Sequence, residues 1–557
     1  MPIGSAMIDS VVSGAHQFGA HDSGPGPSPS AVGSRAYRAA SGMSQEMAGY
    51  WPAWSSGDSA TLPNIRVSLD RTRDIIRNDP HAAAGVMRLV DMLVGSGWQC
   101  MPTPDAAALG ISPKEARALG RSIRSEWKLF SRDPRKFCDA RRRLTLNGLL
   151  RLAARTFVTA NEACAVLKYD RKRVERKGAR YATCLAQVDP DRLSNPNNRP
   201  NTLRLRGGVE FDDDSVPAAY HIRNAHYADW WAGTESQTWT RIERETPHGR
   251  PVFIHAFEPE REDQTRAITP FASLISRLRM IGKHADLEIA NATANALFAA
   301  FVESDLPAEE VAQRLAAGSQ QTSLRASYID KMVDHYTKHP ATLGGVRIPV
   351  LMPGSKVSMN GTSRATTAFP AFQAAFLQSI ASALGVSYEQ LAMDWSRTNY
   401  SSARAALNEV WRTIKRLQAV FAEQYVQPIY FAFLEEAFDK GYVVAPAGAP
   451  DFWDMPEAYV AARWIGPGRG YVDPVKEAEA AALRMEGLTS NLEIENAEQG
   501  LDWEENIEQI AFENDVLAEQ GLTRLSMVAA VQANKGAKPD SEEATGPAGP
   551  SGGAGAA

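Results

Sequence analysis

The chain has 557 residues, 44% of them apolar and 22% charged, the balance of an ordinary globular protein; at roughly 150 residues per domain it allows three or four units. A formal charge of −5 argues against a surface that grips nucleic acid, since affinity for phosphates needs cations that displace counterions, but not against one that lets DNA slide past. No apolar run approaches the roughly 20 residues that cross a bilayer, and MPIGSAMIDSVVSG lacks the basic start, apolar block and cleavage site of an export signal, so the expected compartment is the cytoplasm.

Residues 1–60 are rich in Gly, Ser, Pro and Ala and cannot bury enough apolar area to offset chain entropy, so a disordered arm is expected there. The tail 534–557 reads the same way. Folded structure opens with LDRTRDIIRNDPHAAAGVMRLVDMLVGSGW. Asp79 before Pro80 starts a helix that carries Val86, Leu89, Val90 and Leu93 on one side and ends at Gly95 and Gly97. Helical patterns follow at 115–131 and 144–160. The periodicity then changes: EACAVLKYD and YATCLAQVD alternate apolar with polar around RKRVERKGAR, which predicts a hairpin, and AAYHIR and VFIHAFE add strands.

From Pro270 apolar residues recur at spacings of three and four, predicting a helix over 270–303. A helix pair, a Gly-bearing β segment (TLGGVRIPVLMPGSKVSM) and a shorter helix, FPAFQAAFLQSIASALG, come next. Then a polar lip, DWSRTN, precedes a long helix from about 401. Asn399, Ser401 or Ser402 can cap that helix. Leu407, Val410, Ile414, Leu417, Phe421 and Tyr425 form its seam, and Pro428 should bend or break it. Helices at about 474–486, 491–499 and 503–520 close the chain.

Catalytic patterns are missing. MPGSKVS and GPGRGYVDP lack the order of a phosphate-binding loop and read as turns. His335 and His339 have helical spacing but neither a protease glutamate nor a third ligand, so no metal is expected. Glu210, Asp212, Asp213 and Asp214 read as a solvated loop. Cys100, Cys138, Cys164 and Cys184 are too scattered for a zinc or redox site and read as buried thiols. RDPRKFCDARRR and DRKRVERKGAR read as solvated basic surface, and Trp230, Trp231 and Trp239 as core or subunit-contact residues.

Several stretches resemble one family, the lambda-type portal proteins of tailed bacteriophages. They include RVSLDRTRDIIRNDPHAAAGVMRLVDMLVGSGW, AQVDPDRLSNPNN, GVEFDDDSVPAAYHIR, FEPEREDQTRAITPFASLISRL and VLMPGSKVSM. FQAAFLQSIASALGVSYEQLAMDWSRTNYSSARAAL and WIGPGRGYVDPVKEAEAAALRMEGLTSNLEIENAEQGLDWEENIEQIAFE complete the set, ALGVSYEQL followed by NYSSAR being the most specific. One departure stands out: Ala267 follows Arg266 where the family pattern leads one to expect Gly, which would matter if that position were left-handed.

The resemblance implies a mainly helical α+β portal fold assembled as a ring, of twelve subunits by the family's usual number, around a channel for double-stranded DNA. It implies a wing at 61–268, a first stem helix at 269–304, a clip at 305–368, a second stem helix at 369–384, a channel loop at 385–400, a long wing helix and following segment at 401–470, and crown helices at 471–533. Asp394, Trp395, Ser396, Arg397, Thr398 and Asn399 would face DNA. Leu407, Val410, Ile414, Leu417 and Phe421 would pack subunits as well as the subunit itself. Implied partners are the terminase large subunit, head-tail connector proteins, the major capsid protein and scaffold, and DNA read without sequence specificity. No membrane, cofactor or enzymatic activity is expected, and the place is the virion's portal vertex after assembly in host cytoplasm. A shorter head-to-tail adaptor and a DNA-processing enzyme are the competing readings.

Overall fold

The computed structural model describes residues 49–298, 334, 342–343, 346–347, 365–396, 398–470 and 474–521. The described residues before Gly57 belong to a separate unit, and the architecture below is that of the unit beginning at Gly57. Its helix α1 (Gly57–Thr61) begins within the last residues of the stretch expected to be a disordered arm.

Helices α2 (Ile65–Asn78) and α3 (Pro80–Leu93) meet at Asp79. Its carboxylate accepts from the N–H groups of His81 and Ala82, both at 2.9 Å, and Pro80 occupies a position whose N–H no helix would use. Val86, Leu89, Val90 and Leu93 are buried, as their spacing predicts. After Gly95 and Gly97, both at positive φ, strand β1 (Gln99–Pro102) begins. Helix α4 (Pro113–Ser131) starts with a reciprocal cap between Ser112 and Glu115, and α5 (Leu146–Ala160) ends on left-handed Asn161.

Strand β2 (Glu162–Tyr169) then becomes the middle of a three-stranded antiparallel sheet. It pairs with β3 (Thr183–Val188) and with β8 (Phe253–Phe257). The hairpin is therefore present, but its connection contains helix α6 (Arg171–Lys177), capped by Asp170 and ended by Gly178. Nor does β2 alternate between core and solvent. Ala163, Ala165 and Leu167 enter the main helical core, while Cys164 and Val166 enter a second, smaller one. The second core is covered by a sheet of β4 (Leu205–Arg206), β5 (Val209–Phe211), β6 (Pro217–Arg223) and β7 (Trp239–Glu243), with Val209, Phe211, Tyr220 and Ile222 facing inward. A strand covered on both faces loses its polar half.

Helix α7 (Ile275–Phe298), preceded by a short 3-10 turn at Pro270–Ser273, packs against α8 (Ala365–Leu384). Leu278, Ile281, Leu377, Ile380 and Ala381 join the main core, and the His284 ring stacks on Phe372 at 4.7 Å. Between the two helices only Asp334 and the pairing of β9 (Thr342–Leu343) with β10 (Val346–Arg347) are described. MPGSKVS, His335 and His339 lie outside the described residues.

After α9 (Tyr388–Ala392) comes the long α10 (Tyr400–Phe421), which continues through a π turn, Ala422–Val426, into α11 (Gln427–Asp439). The break expected at Pro428 takes the form of this π turn just ahead of it, which relieves the clash with the preceding carbonyl and leaves Pro428 in the first turn of the renewed α-helix. Around this joint Tyr425, Ile429, Tyr430, Phe433 and Leu434 are fully buried. Helix α12 (Pro456–Tyr459) leads to β11 (Ala462–Ile465), which pairs with β1. Helices α13 (Pro474–Glu486), α14 (Leu492–Glu498) and α15 (Trp503–Glu519) follow close to the predicted bounds. They are tied back by Arg124 of α4, whose buried guanidinium meets Asp502 at 3.3 Å and Glu504 at 3.0 Å. All four cysteines are buried free thiols.

Candidate functional site: the loop between α8 and α10

Gly385, at φ +71°, ends α8 and turns the chain. Ser387 caps α9 by accepting from the Gln390 N–H, and Gln390 returns the bond to the Ser387 N–H. Left-handed Met393 closes this one-and-a-half-turn helix. The base of the loop is held on α3. Leu391 is buried against Gly85, where a Cβ would stand 2.9 Å from Leu384 Cδ1, so α3 approaches α8 and α9 as closely as it does because Gly85 has no side chain. Arg88 Nη2 also reaches the Met393 sulfur at 3.1 Å.

Beyond that footing the chain is polar and open. Asp394 Oδ1 accepts from the Ser396 N–H at 3.1 Å and from its hydroxyl at 2.6 Å, an Asx-type turn. Thr398 donates to Glu389 at 3.0 Å. Partial burial opposes ionisation of Glu389, but hydrogen bonds from its own backbone N–H and from the Ser387 and Thr398 side chains hold its carboxyl below the usual range. Trp395 is 42% exposed and Met393 59%, both large apolar surfaces left in solvent. Arg397 lies outside the described residues.

Asn399 caps α10: its side-chain oxygen accepts from the Ser402 N–H at 2.8 Å. Ser401 and Ser402 fall in the first turn of the helix and are exposed, so they are not the cap; Ser402 contributes only its backbone donor. Along α10, Val410, Ile414 and Phe421 are buried in the chain's own core, Leu417 packs half-buried against it, and Leu407 is half-buried. Their apolar surface is already largely covered before any second subunit arrives.

Arg124, Arg173, Arg250 and Arg266 are all buried cations that the sequence did not announce, and two of them organise this region. The Arg266 guanidinium, between β8 and α7, forks onto Glu162 at 2.6–2.9 Å and also donates to the carbonyls of Leu193 and Gly207 at 2.9 Å and Pro190 at 3.1 Å. Burial pushes the Glu162 carboxyl up, but Arg266 and His255 outweigh it and bring it to about 2. Glu162 further accepts the Ala267 N–H at 2.7 Å. Ala267 is buried and does not have a positive φ, so the missing glycine costs no left-handed turn here. The only signal in the sequence was a glutamate opening an apolar strand. The other is Arg173, placed by its neighbours among solvated lysines but buried beneath α6.

Other singled-out groups disperse. Glu210 pairs with Arg241 and His221, Asp212 folds its own turn, and Asp213 meets Arg204. Among the described residues no three His, Cys, Asp or Glu side chains are placed to hold a metal, and no helix is long and apolar enough to cross a membrane. Trp230 and Trp231 are exposed, 85% and 69%, rather than in the core, and Trp239 donates to Ser194.

The family model described as "Phage portal protein, lambda family" matches residues 43–418, from ahead of α1 through most of α10. The chain belongs to the lambda family of phage portal proteins. It is 31% identical to the portal protein of Escherichia phage N15 over 90% of this chain and 94% of that one. Portal protein B of Escherichia phage lambda is also 31% identical, over 84% and 86%. Solved structures that it resembles include a chain of the virion of a native gene transfer agent particle, at 13% identity and TM-score 0.35 over 79% of this chain and 99% of that one. Another, from the neck of the native particle computed with C12 symmetry, has 13% identity and TM-score 0.36 over 78% and 97%. The portal chain is thus a phage structural component whose family name carries no catalytic role.

Proposed function

We propose that twelve copies of this portal protein close into a ring at one capsid vertex, and that the 385–400 loop lines its channel for double-stranded DNA during packaging and ejection. The observation that carries this is the construction of the loop: a base fixed on α3 through Gly85 and Leu391, and a tip in which Asp394, Ser396 and Thr398 hydrogen-bond within the loop. Side chains already bonded in this way, and carrying no positive charge, make no strong phosphate contact that would have to break each time DNA advances. The charge of −5 per subunit, repeated around a ring, opposes sticking in the same way. The chain does no chemistry in this reading; the terminase large subunit docks and drives packaging, and head-tail connector proteins replace it, while capsid protein and scaffold surround the ring.

A closed ring requires a head-to-tail contact whose rotation closes. Since α10 spends its seam inside the subunit, the stem supplies the surface: Met280, Leu287 and Ile289 on α7 are 57%, 68% and 67% exposed. End-on electron microscopy of the purified protein tests the proposal. Closed rings with an opening that admits B-form DNA support it; particles without an opening, or isolated monomers under all assembly conditions, defeat it.

A further inference from the structure

The stretches 132–143 and 171–177 together hold eleven Lys and Arg against three acidic residues, and the fold sets them side by side. Arg173 makes the joint. From α6 its guanidinium donates to the carbonyls of Phe137 at 2.7 Å, Asp139 at 3.0 Å and Ala140 at 2.6 Å. Arg135 returns the tie by donating to Gly178 O at 3.1 Å. The loop is stiffened from within by buried Asp139, whose carboxylate accepts from the N–H groups of Arg141 at 2.8 Å, Arg143 at 2.7 Å and Leu144 at 3.1 Å.

This construction consumes most of the nearby acids. Asp133 pairs with Arg135, Asp139 is spent on backbone donors, and Asp170 caps α6 and faces Arg173, which leaves Glu175 of α6 as the exposed acid. The outer surface is otherwise cationic: Arg141, Arg142 and Arg143 on the loop and Lys172, Arg176 and Lys177 on α6 are exposed, and none has a carboxylate within ion-pair distance among the described residues. Arg192 beside them has its guanidinium pushed down, by burial and by the charge of Arg141. A chain of net negative charge here maintains a rigid bracket of mutually repelling cations, which calls for a polyanion to neutralise it.

We propose that this bracket binds the phosphate backbone of duplex DNA, without sequence preference and separately from the loop between α8 and α10. The acidic C-terminal helices of a second copy are the weaker fit, because Glu493, Glu495, Asp502, Glu504 and Glu505 already pair with basic residues of their own chain and leave only scattered acids such as Glu508, Asp515 and Glu519. Arginine forks also match phosphate oxygens in pairs. The proposal rests on the portal reading only in taking packaged DNA as the polyanion at hand.

The test uses the full-length assembled protein and short labelled duplexes of two unrelated sequences, followed by fluorescence anisotropy over a series of salt concentrations. Equal binding of both sequences, falling steeply with salt, is expected. The quadruple variant Arg142→Glu, Arg143→Glu, Lys172→Glu, Lys177→Glu should bind about tenfold or more weakly, with a flatter salt dependence, each lost phosphate contact removing about 0.9 from the log–log slope. In the unaltered protein, duplex should protect Lys172 and Lys177 from acetylation, a readout that does not depend on how the variant folds. Unchanged affinity in the variant, acetylation indifferent to duplex, or protection by polyglutamate but not by DNA would each overturn the proposal. Failure of the unaltered protein to form rings would instead count against the portal reading, and leaves both binding measurements readable.

Discussion

The chain enters α7 and leaves α8 through polar side chains, to opposite effect. Ahead of α7, Glu162 and Arg266 are sealed from water and nearly every hydrogen-bonding position between them is occupied by protein. After α8, Asp394, Ser396 and Thr398 bond to residues a few positions away and leave Trp395 in solvent. Polar residues that join distant elements in the interior fix architecture, since each is costly to leave unpaired. Polar residues that close short loops on the surface cost little to exchange and leave the side chains beside them free for contact with something else.

Breaking the buried end should have the largest effect. Glu162→Ala leaves the Arg266 charge without its partner and is expected to destabilise the subunit by about 3–5 kcal/mol, read from urea unfolding; a loss below 1 kcal/mol would erase the contrast. The same carboxyl supplies a pH test. Because its folded value of about 2 lies below its unfolded one, the stabilisation is present above pH of about 4.5 and is lost as pH falls toward 2. Unfolding midpoints of Glu162→Gln should therefore depend less on pH across that window than those of the unaltered chain.

Effects should shrink toward the loop. Gly85→Val presses a branched side chain toward Leu384 and Leu391, an overpacking expected to cost about 1–3 kcal/mol and to raise hydrogen exchange in α9 before that of the sheet. Asn399→Ala removes the cap of α10 and should cost about 1 kcal/mol, with Asn399→Gly losing only a few tenths. Trp395→Ala should change thermal stability least, within about 0.5 kcal/mol. If the loop lines the channel, the same variant should lower the yield of DNA-filled heads in a complementation assay while rings assemble normally. A stability loss as large as that of Gly85→Val would place Trp395 in the architecture instead.

Helices were the most legible part of the sequence, because their periodic faces and caps act over a few neighbouring residues: Asp79 with Pro80 and Asn399 announce their helices directly. Strand β2 was found, but its alternation was misread, since two cores on opposite faces are a tertiary fact that one strand's pattern does not contain. Pro428 marked where the α-helix is interrupted, but not that the interruption is a π turn set among the buried Tyr425 and Tyr430. At the candidate site, the position of the loop and the Asn399 cap were readable, whereas its footing on Gly85 was not, because contacts across some three hundred positions leave no local trace. Arg266 and Arg173 were hidden by residue type: a cation in a charged neighbourhood reads as surface until its partners are located.

Strand β2 serves as a party wall, with one set of side chains belonging to each room. Pulling the small sheet away would strip Cys164 and Val166 bare while the opposite face, through Ala163, Ala165 and Leu167, still anchors the backbone to the helices. Because losing the small sheet would expose that apolar face, the sheet and the helical body are expected to unfold together.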